Sequence, residues 1–391
     1  MAGKLEIKDR FLCLPKESFF LFGPRGTGKS TWIKRIFHDS LLIDLLDPAA
    51  FRAYSSVPER LRELVEGNPG VKTILIDEVQ KVPEILSVVH LLIEKYPFLQ
   101  FVLTGSSARK LKRTGTDLMA GRATVRKIYP FMGAELGDDF NLENSLQSGL
   151  LPLILGSRNP DESLKAYAAL YIREEVQMEG LVRSIGNFSR FLEIISFSHA
   201  SILNISNIAR ETQVGRKTIE GYVSILEDIL LAFRLEVFRR KAKRKLTEHP
   251  KFYFMDTGVF RSLRPTGPLD KKEGINGQAL EGLVAQHLIS WVEYRGRKNK
   301  IYYWRTRSGM EVDFVIYGDD GLWGIEVKNT DKIRLKDFRG LKSFQEEYPD
   351  ARTMFLYRGK EKIIHKNVLC LPVEQFLSRL KPEQGLDIFF K

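Results

Sequence analysis

Residues 19–37 read FFLFGPRGTGKSTWIKRIF, and the residue types change twice within this stretch. The apolar run from Phe19 to Phe22 predicts a buried strand, and the pattern from Thr31 to Phe37 predicts a helix. Between them, residues 23–30 fit the pattern G-x-x-x-x-G-K-[ST], which has a strand before it and a helix after it. The sequence therefore predicts a strand, a glycine-rich loop and a helix in direct succession.

A loop of this kind is suited to binding phosphate groups. Its glycines allow backbone N–H groups to approach phosphate oxygens closely, and the helix that follows adds the positive end of its dipole. We expect Lys29 to reach the β- and γ-phosphates of ATP and Ser30 to bind Mg²⁺. The residues predicted to hold the nucleotide are Gly23, Pro24, Arg25, Gly26, Thr27, Gly28, Lys29, Ser30 and Thr31.

Further apolar runs alternate with helical patterns over the first third of the chain. They extend from Leu41 to Asp44, from Thr73 to Ile76 and from Phe101 to Thr104. Each run is apolar almost throughout, as expected for a strand that is buried on both faces. The alternation predicts an α/β fold with a P-loop and a parallel sheet covered by helices.

Polar residues stand at the ends of two of these strands. Asp77 and Glu78 follow the run at Ile76, where we expect Asp77 to hold Mg²⁺ through its water shell and Glu78 to polarise the attacking water. The hydroxyls of Thr104 and Ser106, at the end of the next strand, are predicted to sense the γ-phosphate. These residues complete a predicted catalytic site for ATP hydrolysis.

Arg122, in the stretch LMAGRATV, is our candidate for an arginine finger. Such a residue neutralises transition-state charge on the ATP of a neighbouring subunit. Arg109 and Arg113 are alternatives for the same role. A finger that acts in trans implies a homo-oligomer, for which we expect a ring.

The middle of the chain has a different character. Strand patterns are absent from 137–195, which we interpret as a helical lid or connector, and residues 205–231 predict two helices separated by a turn at Val214 and Gly215. The segments Leu235 to Arg239 and Phe252 to Phe254 are predicted to form the strands of a wing. The basic stretch RRKAKRK at 239–245 is then either a solvated turn or a phosphate contact at the tip of the wing, and 264–278 is predicted to be a linker.

Several segments, in the same order, resemble a known family: GPRGTGKS, ILIDEVQKVPEIL, FVLTGSSARKL, AGR and YPFMGAEL. This series is similar to the AAA+-type ATPases of archaea and bacteria that carry a conserved C-terminal domain of unclear function. The resemblance implies an ATPase core over 1–136, the connector over 137–195, a winged helix-turn-helix over 196–263 and a nuclease-like α/β domain over 279–391.

The C-terminal region contains a second group of charged residues. The stretches around Asp313 and Glu326 predict a β-hairpin in which Glu326 and Lys328 share one face, while Glu281 lies on a helix upstream. These residues resemble the PD-(D/E)xK motif of the restriction-endonuclease-like fold. The resemblance implies that Glu281, Asp313 and Glu326 bind Mg²⁺ and that Lys328 positions or activates a water for phosphodiester hydrolysis.

Two other features of this region are the tryptophan before the hairpin and a glutamine and a tyrosine after it. Trp304 precedes the hairpin and either stacks on a nucleic-acid base or lies in the core. The spacing of Gln345 and Tyr348 is one residue too short for the Gln-x-x-x-Tyr element of RecB-type relatives, so no role is carried over to them.

The net charge of +12 creates a positive field that attracts polyanions. The N-terminus, MAGKLEIKDRF, lacks the apolar run of a signal peptide, and no stretch is apolar enough to cross a membrane, so a cytoplasmic protein is expected. The leading prediction is an ATPase that acts on DNA in recombination, repair or mobile-element processing. Alternatives are a nucleotide-dependent oligomeric switch that recruits a protein partner through a silent C-terminal domain, and a DNA loader or initiator.

Overall fold

The computed structural model describes residues 8–106, 121–171, 184–240 and 249–391. Its N-terminal part is a sheet of five parallel strands in the order β2-β3-β4-β1-β5. The strands are β1 (Phe19–Phe22), β2 (Leu41–Asp44), β3 (Thr73–Asp77), β4 (Gln100–Gly105) and β5 (Thr124–Lys127). The predicted parallel sheet is therefore confirmed.

Helices cover both faces of this sheet, and β1 shows why. Phe19 and Leu21 point to one face and Phe20 and Phe22 to the other, and each is almost completely buried in an apolar cluster. The alternation of side chains along a strand places apolar groups on both sides, so both sides need a cover. The helices are α1 (Lys29–Ile36), α2 (Pro48–Ser56), α3 (Arg60–Glu66) and α4 (Ile85–Lys95).

The connector is helical wherever the structure describes it. Within 137–171 and 184–195 the described residues contain helices, turns and loops and no strand, as predicted. Helix α5 (Gly133–Leu136) comes just before it, and its elements are α6 (Leu142–Ser148), α7 (Pro152–Leu155), α8 (Pro160–Ala166), a π-helical turn (Tyr167–Tyr171) and α9 (Ile185–Ser196).

The two helices predicted around Val214 and Gly215 are present as α10 (Ile205–Thr212) and α11 (Arg216–Asp228). The side chain of Asn204 accepts a hydrogen bond from the N–H of Asn207 and so begins α10. The two helices lie beside a three-stranded antiparallel sheet in the order β6-β8-β7. Its strands are β6 (Ser201–Ile202), β7 (Ala232–Leu235) and β8 (Lys251–Phe254).

The prediction of a strand from Leu235 to Arg239 was wrong, because β7 ends where that strand was expected to begin. Beyond Leu235 the chain pairs instead with the C-terminal sheet, where Phe238 donates a backbone hydrogen bond to Tyr303. The ring of Phe238 lies among aromatic side chains of the C-terminal region: Tyr302, Tyr317, Phe344 and Tyr348. Because this ring is buried among them, the chain leaves the three-stranded sheet after Leu235 and does not continue as a strand of a hairpin with β8. Residues 241–245 of the basic stretch lie outside the described residues.

The predicted linker 264–278 is also shorter than expected. Helix α13 (Lys272–Arg295) begins inside it, because Ile275 and Ala279 continue its buried positions toward the N-terminus. Only 264–271 separate α13 from α12 (Thr257–Leu263).

The C-terminal sheet has six strands in the order β13-β14-β12-β11-β10-β9. The hairpin predicted around Asp313 and Glu326 is confirmed as β10 and β11, which are antiparallel and end at the facing pair Gly318 and Gly321. The elements are β9 (Lys300–Arg305), β10 (Glu311–Gly318), β11 (Gly321–Lys328), α14 (Arg339–Glu347), β12 (Arg352–Tyr357), β13 (Ile363–His365), β14 (Val368–Pro372) and α15 (Val373–Arg379).

One apolar cluster connects these parts. It joins one face of the N-terminal sheet, the connector, the three-stranded sheet and the C-terminal sheet. None of the helices in the described part of the chain combines the length and the apolar character that a membrane crossing requires.

Candidate nucleotide site and acidic C-terminal site

The phosphate loop has the backbone that its glycines were expected to provide. Gly26 and Gly28 have φ values of 81° and 76°, a region that side chains with a Cβ rarely enter. A Cβ on Gly23 would lie 2.4 Å from the carbonyl oxygen of Ile128. The sequence therefore meets three separate backbone requirements with glycine.

Lys29 lies at the centre of this loop. Its ammonium donates hydrogen bonds to the carbonyl oxygens of Gly23 at 2.7 Å and Pro24 at 3.0 Å. The side chain is buried, so the charge is held inside the loop and not in solvent. A buried cation within a glycine-rich loop is the donor set that a phosphate group requires, so the residues present fit a nucleotide.

The predicted metal-binding residues lie together. The hydroxyl of Ser30 donates to Oδ1 of Asp77 at 2.9 Å, and the hydroxyl of Thr104 donates to the same oxygen. Oδ2 of Asp77 is buried, and the ammonium of Lys34 lies 3.2 Å from it. A hydroxyl and a carboxylate at this position are the ligands that would hold Mg²⁺.

Glu78 is held in position by its neighbours. Its φ of 60° is a left-handed conformation, which is uncommon for a residue with a side chain, and its N–H donates to the Thr104 hydroxyl at 3.2 Å. The amide of Gln80 donates both to the Glu78 carboxylate and to the Ser106 hydroxyl. Thr104 thus contacts both Asp77 and Glu78, whereas Ser106 contacts Gln80. Neither Thr104 nor Ser106 lines the described wall of the cavity beside the phosphate loop.

A cavity of about 410 Å³ opens beside the loop. The phosphate loop and the start of α1 line it, together with residues from four other stretches of the chain, among them Arg10, Phe131 and Leu153. The N–H of Leu153 donates to the carbonyl of Gly26 at 3.1 Å, and the hydroxyl of Tyr167 donates to the carbonyl of Arg25 at 2.9 Å. The helical connector is therefore in direct contact with the phosphate loop.

Arg10 joins the segment before β1 to the far side of the same cavity. Its guanidinium pairs with Glu135 at 3.2 Å, donates to the carbonyl of Thr27 at 3.3 Å and stacks on the ring of Phe131. Both charged side chains are almost fully buried. A buried ion pair thus fixes one wall of the site.

Arg122 lies far from this cavity. It precedes β5 and pairs with Glu94 near the end of α4. Because β5 is parallel to β1, Arg122 is at the amino edge of the sheet, and the phosphate loop is at the carboxyl edge. Its trans role stays a prediction, and Arg109 and Arg113 lie outside the described residues.

The four C-terminal residues of the predicted acidic site come together. Glu281, Asp313, Glu326 and Lys328 line one cavity of about 560 Å³. Oδ2 of Asp313 accepts a 2.9 Å hydrogen bond from the N–H of Val327, and the ammonium of Lys328 lies 2.5 Å from Oε1 of Glu326. These residues come from α13, β10 and β11, and they lie together as we expected.

Another member of this site, Lys251, was not predicted. Its ammonium lies 3.0 Å from Oε1 of Glu281 and 3.2 Å from Oδ1 of Asp313, and it also pairs with Glu311. The hydroxyl of Tyr253 donates to Oε1 of Glu281 at 2.7 Å. Strand β8 therefore supplies two polar groups to a site that was predicted to come from the C-terminal region alone.

The charges in this site shift one another's titration. Burial, together with the negative charge of Asp313, raises the pKa of Glu326 to about 8 and that of Glu281 to about 7. Burial also opposes ionisation of Asp313, but the positive charges of Lys251 and Lys328 outweigh this effect and hold the pKa of Asp313 below its ordinary value.

Carboxylates are suitable ligands for Mg²⁺, but their present arrangement does not fit a metal ion. Lys251 already occupies one oxygen each of Glu281 and Asp313. Across the described ranges, no group of three or more acidic, histidine or cysteine side chains is placed to hold a metal. Oε2 of Glu326 is buried and has no hydrogen-bond partner there.

Trp304 is completely buried, so the core alternative is correct and base stacking is wrong for this residue. The other residues that the sequence did not reveal are Lys34, Gln80 and Arg10. Lys34 follows Ser30 by one helical turn on α1, and this spacing places both on the face toward Asp77. That spacing is the signal that would have identified it.

Three family models match the chain. Residues 15–137 match one described as an AAA domain, and 140–270 and 276–376 match two domains of unknown function, DUF8612 and DUF4143. The parallel sheet, the phosphate loop and the first match together indicate an AAA-type, nucleotide-binding, ATPase-like domain at 15–137, and the residues at 276–376 are similar to a conserved domain of unknown function.

The relatives are themselves uncharacterized. One protein of Mycobacterium bovis and one of Mycobacterium tuberculosis are each 23% identical to this chain over 368 residues, which are 92% of this chain and 80% of theirs. A structure of the replication initiator DnaA bound to AMPPCP and single-stranded DNA matches 55% of this chain and 83% of that one, with 13% identity and a TM-score of 0.26.

Proposed function

We propose that this chain binds and hydrolyses ATP with Mg²⁺ and uses the reaction to act on DNA. The observation that carries the ATPase part is the contact between Ser30 and Asp77 beside the phosphate loop. ATP bound here would have Lys29 at its phosphates, and the metal would supply charge neutralisation on the reacting phosphate. Glu78, held by Gln80, is the residue that would orient the attacking water.

The DNA part rests on charge and on α11. The first turn of this helix exposes Arg216, Lys217 and Thr218, and the first residues of the second helix in a helix-turn-helix are the ones that reach base edges. The net charge of +12 would strengthen attraction to a phosphate backbone. Winged-helix character for 196–263 is part of this proposal.

Assembly into a homo-oligomer is the third part of the proposal. Arg122 lies at the opposite edge of the sheet from the phosphate loop of its own chain. In a ring, an arginine in this position would serve the ATP of a neighbour. This would explain an exposed arginine whose partner, Glu94, is a surface residue.

DNA cleavage by the C-terminal domain is a second candidate function. Asp313, Glu326 and Lys328 favour it because they converge beside β10 and β11 with an unpartnered buried oxygen on Glu326. The position of Lys251 favours instead a silent domain that binds DNA or a protein partner. Cleavage assays on wild-type protein and on Asp313→Ala distinguish these two cases.

The experiment for the main proposal measures ATP turnover with Mg²⁺ alone and with single-stranded, duplex, forked and four-way DNA. We expect turnover that at least one DNA form stimulates and that Lys29→Ala abolishes. Lys72→Ala is the matched control, because Lys72 is an exposed lysine before β3, at the opposite edge of the sheet. ATP turnover that no DNA changes, together with no DNA binding at physiological salt, would refute the DNA part and leave the ATPase part intact.

A further inference from the structure

The ammonium of Lys251 is buried among carboxylates from two different elements. It lies within 3.2 Å of Glu281 on α13 and of Asp313 on β10, and it contacts Glu311 at the start of β10. Only 3% of its side chain is exposed. A lysine is rarely buried to this extent unless several acidic groups compensate the loss of hydration.

Strand β8 explains how the lysine reaches this position. β8 is the central strand of its sheet, and it pairs with β6 on one side and β7 on the other. Lys251 and Tyr253 alternate with Phe252 and Phe254, so both polar side chains project toward Glu281 on the same face of the strand. The group that neutralises the acidic site thus belongs to a different sheet from Asp313 and Glu326.

A divalent cation and this ammonium would compete for the same oxygens. Mg²⁺ requires carboxylate oxygens at about 2.1 Å, and a second positive charge within the cluster would be repelled by Lys251. With the ammonium present, Glu281 and Asp313 each direct an oxygen at Nζ. The ammonium therefore satisfies one oxygen each of Glu281 and Asp313 without any metal.

We propose that Lys251 is an intramolecular cation that closes the acidic site, and that a divalent cation binds Glu281, Asp313 and Glu326 only when this ammonium is withdrawn. Withdrawal requires movement of β8, and hence of the three-stranded sheet, away from α13 and β10. The C-terminal domain then has a closed state, which the structure shows, and an open state that accepts a metal. This inference concerns metal binding and holds whether or not the protein acts on DNA.

The test uses full-length protein without nucleotide and measures Mn²⁺ binding by electron paramagnetic resonance. All proteins carry Ser30→Ala, so that Mn²⁺ beside Asp77 is not counted. We expect Lys251→Met to bind one Mn²⁺ with an affinity about tenfold or more above that of the protein with Lys251 intact, because the competing charge is gone. Adding Asp313→Asn should abolish the gain.

Lys336→Met is the matched control, since Lys336 is an exposed lysine at the mouth of the same cavity. It removes the same charge without opening the buried cluster, so its Mn²⁺ affinity should stay close to that of the protein with Lys336 intact. Equal gains in Lys251→Met and Lys336→Met would overturn the proposal, and so would tight Mn²⁺ binding at Asp313 with Lys251 intact.

Loss of a buried cation can unfold a protein, so a second variant keeps the test decisive. Lys251→Gln with Glu311→Gln removes one positive and one negative charge and leaves Glu281, Asp313 and Glu326 unchanged. Its unfolding temperature should rise on addition of Mn²⁺, whereas that of the protein with Lys251 intact should not. If neither unfolding temperature responds to Mn²⁺, the acidic site is not a closed metal site and the proposal is wrong.

Discussion

The hydroxyl of Ser30 donates a 2.9 Å hydrogen bond to Oδ1 of Asp77, which lies 47 residues later in the chain. Replacement of either residue, as Ser30→Ala or Asp77→Asn, removes an oxygen from the predicted Mg²⁺ site. We expect ATP turnover to fall by about 100-fold in each variant, as for other single groups that stabilise a charged transition state. Asp39→Asn, an exposed acid before β2, should leave turnover unchanged. Normal turnover in Asp77→Asn would contradict the assigned role.

Gly26 should not tolerate a side chain. Its φ of 81° is left-handed, and a Cβ would lie 3.1 Å from that of Leu153. Gly26→Ala should cost about 1–2 kcal/mol and weaken ATP binding, because the loop must leave its phosphate-binding conformation. Gly70→Ala is the control, since a Cβ there meets nothing within 4 Å. The free energy of unfolding and the affinity for a fluorescent ATP analogue measure both effects, and equal behaviour of the two variants would contradict the prediction.

Stability should depend on pH through Asp256. Burial raises the pKa of this carboxyl to about 6 from an ordinary value of 3.8, although backbone N–H groups of Leu150 and Val259 oppose the shift. The folded state therefore binds the proton more tightly, so stability falls by about 3 kcal/mol as pH rises from about 4 to 6. Denaturant unfolding across this range should show the fall in wild type and a smaller one in Asp256→Asn. An identical dependence of stability on pH in both proteins would contradict this role of Asp256.

The ion pair of Arg10 and Glu135 should stabilise the folded protein more than an ion pair on the surface does. Both side chains are buried, so Arg10→Met leaves an uncompensated carboxylate and should destabilise the protein by about 3–5 kcal/mol. The double variant with Glu135→Gln should recover part of this loss, because no charge is then left unpaired. Urea unfolding of the two single variants and the double variant gives the coupling energy, and a coupling near zero would show that the pair is not important.

Lys217 provides a test of DNA contact through α11. If it binds a phosphate, Lys217→Ala should weaken binding to all sequences alike and reduce the slope of log affinity against log salt by about 1. Lys72→Ala should leave the slope unchanged. Fluorescence anisotropy at several salt concentrations measures both variants, and an unchanged slope in Lys217→Ala would place the DNA surface elsewhere.

Local patterns predicted the phosphate loop, the parallel strands and the hairpin well, because each depends on neighbours in sequence. Gly23 to Ser30 form the expected loop, and β10 and β11 meet at Gly318 and Gly321 as their turn residues indicate. Backbone conformation at these places is set by glycine and by the alternation of apolar residues. These are properties that a single sequence displays directly.

Contacts between residues that lie far apart in the sequence were not predictable in the same way. Lys251 meets Asp313 across 62 residues, and Phe238 finds its aromatic partners only because β7 ends early. Nothing in the local sequence around Lys251 distinguishes it from a solvated lysine. Its burial is decided by the packing of two sheets and a helix against one another, which depends on the whole chain.

Strand β8 has one consequence for how the sequence can change over time. Lys251 at the start of this strand contacts Asp313 in the acidic site. Asp256, just after its end, accepts a hydrogen bond from the N–H of Leu150, and Leu153, three residues further on, contacts Gly26 in the phosphate loop. An insertion or deletion of one residue between Lys251 and Asp256 would turn one of these side chains to the wrong face. The number of residues between them should therefore be inherited unchanged, even in relatives whose side chains at both ends have diverged.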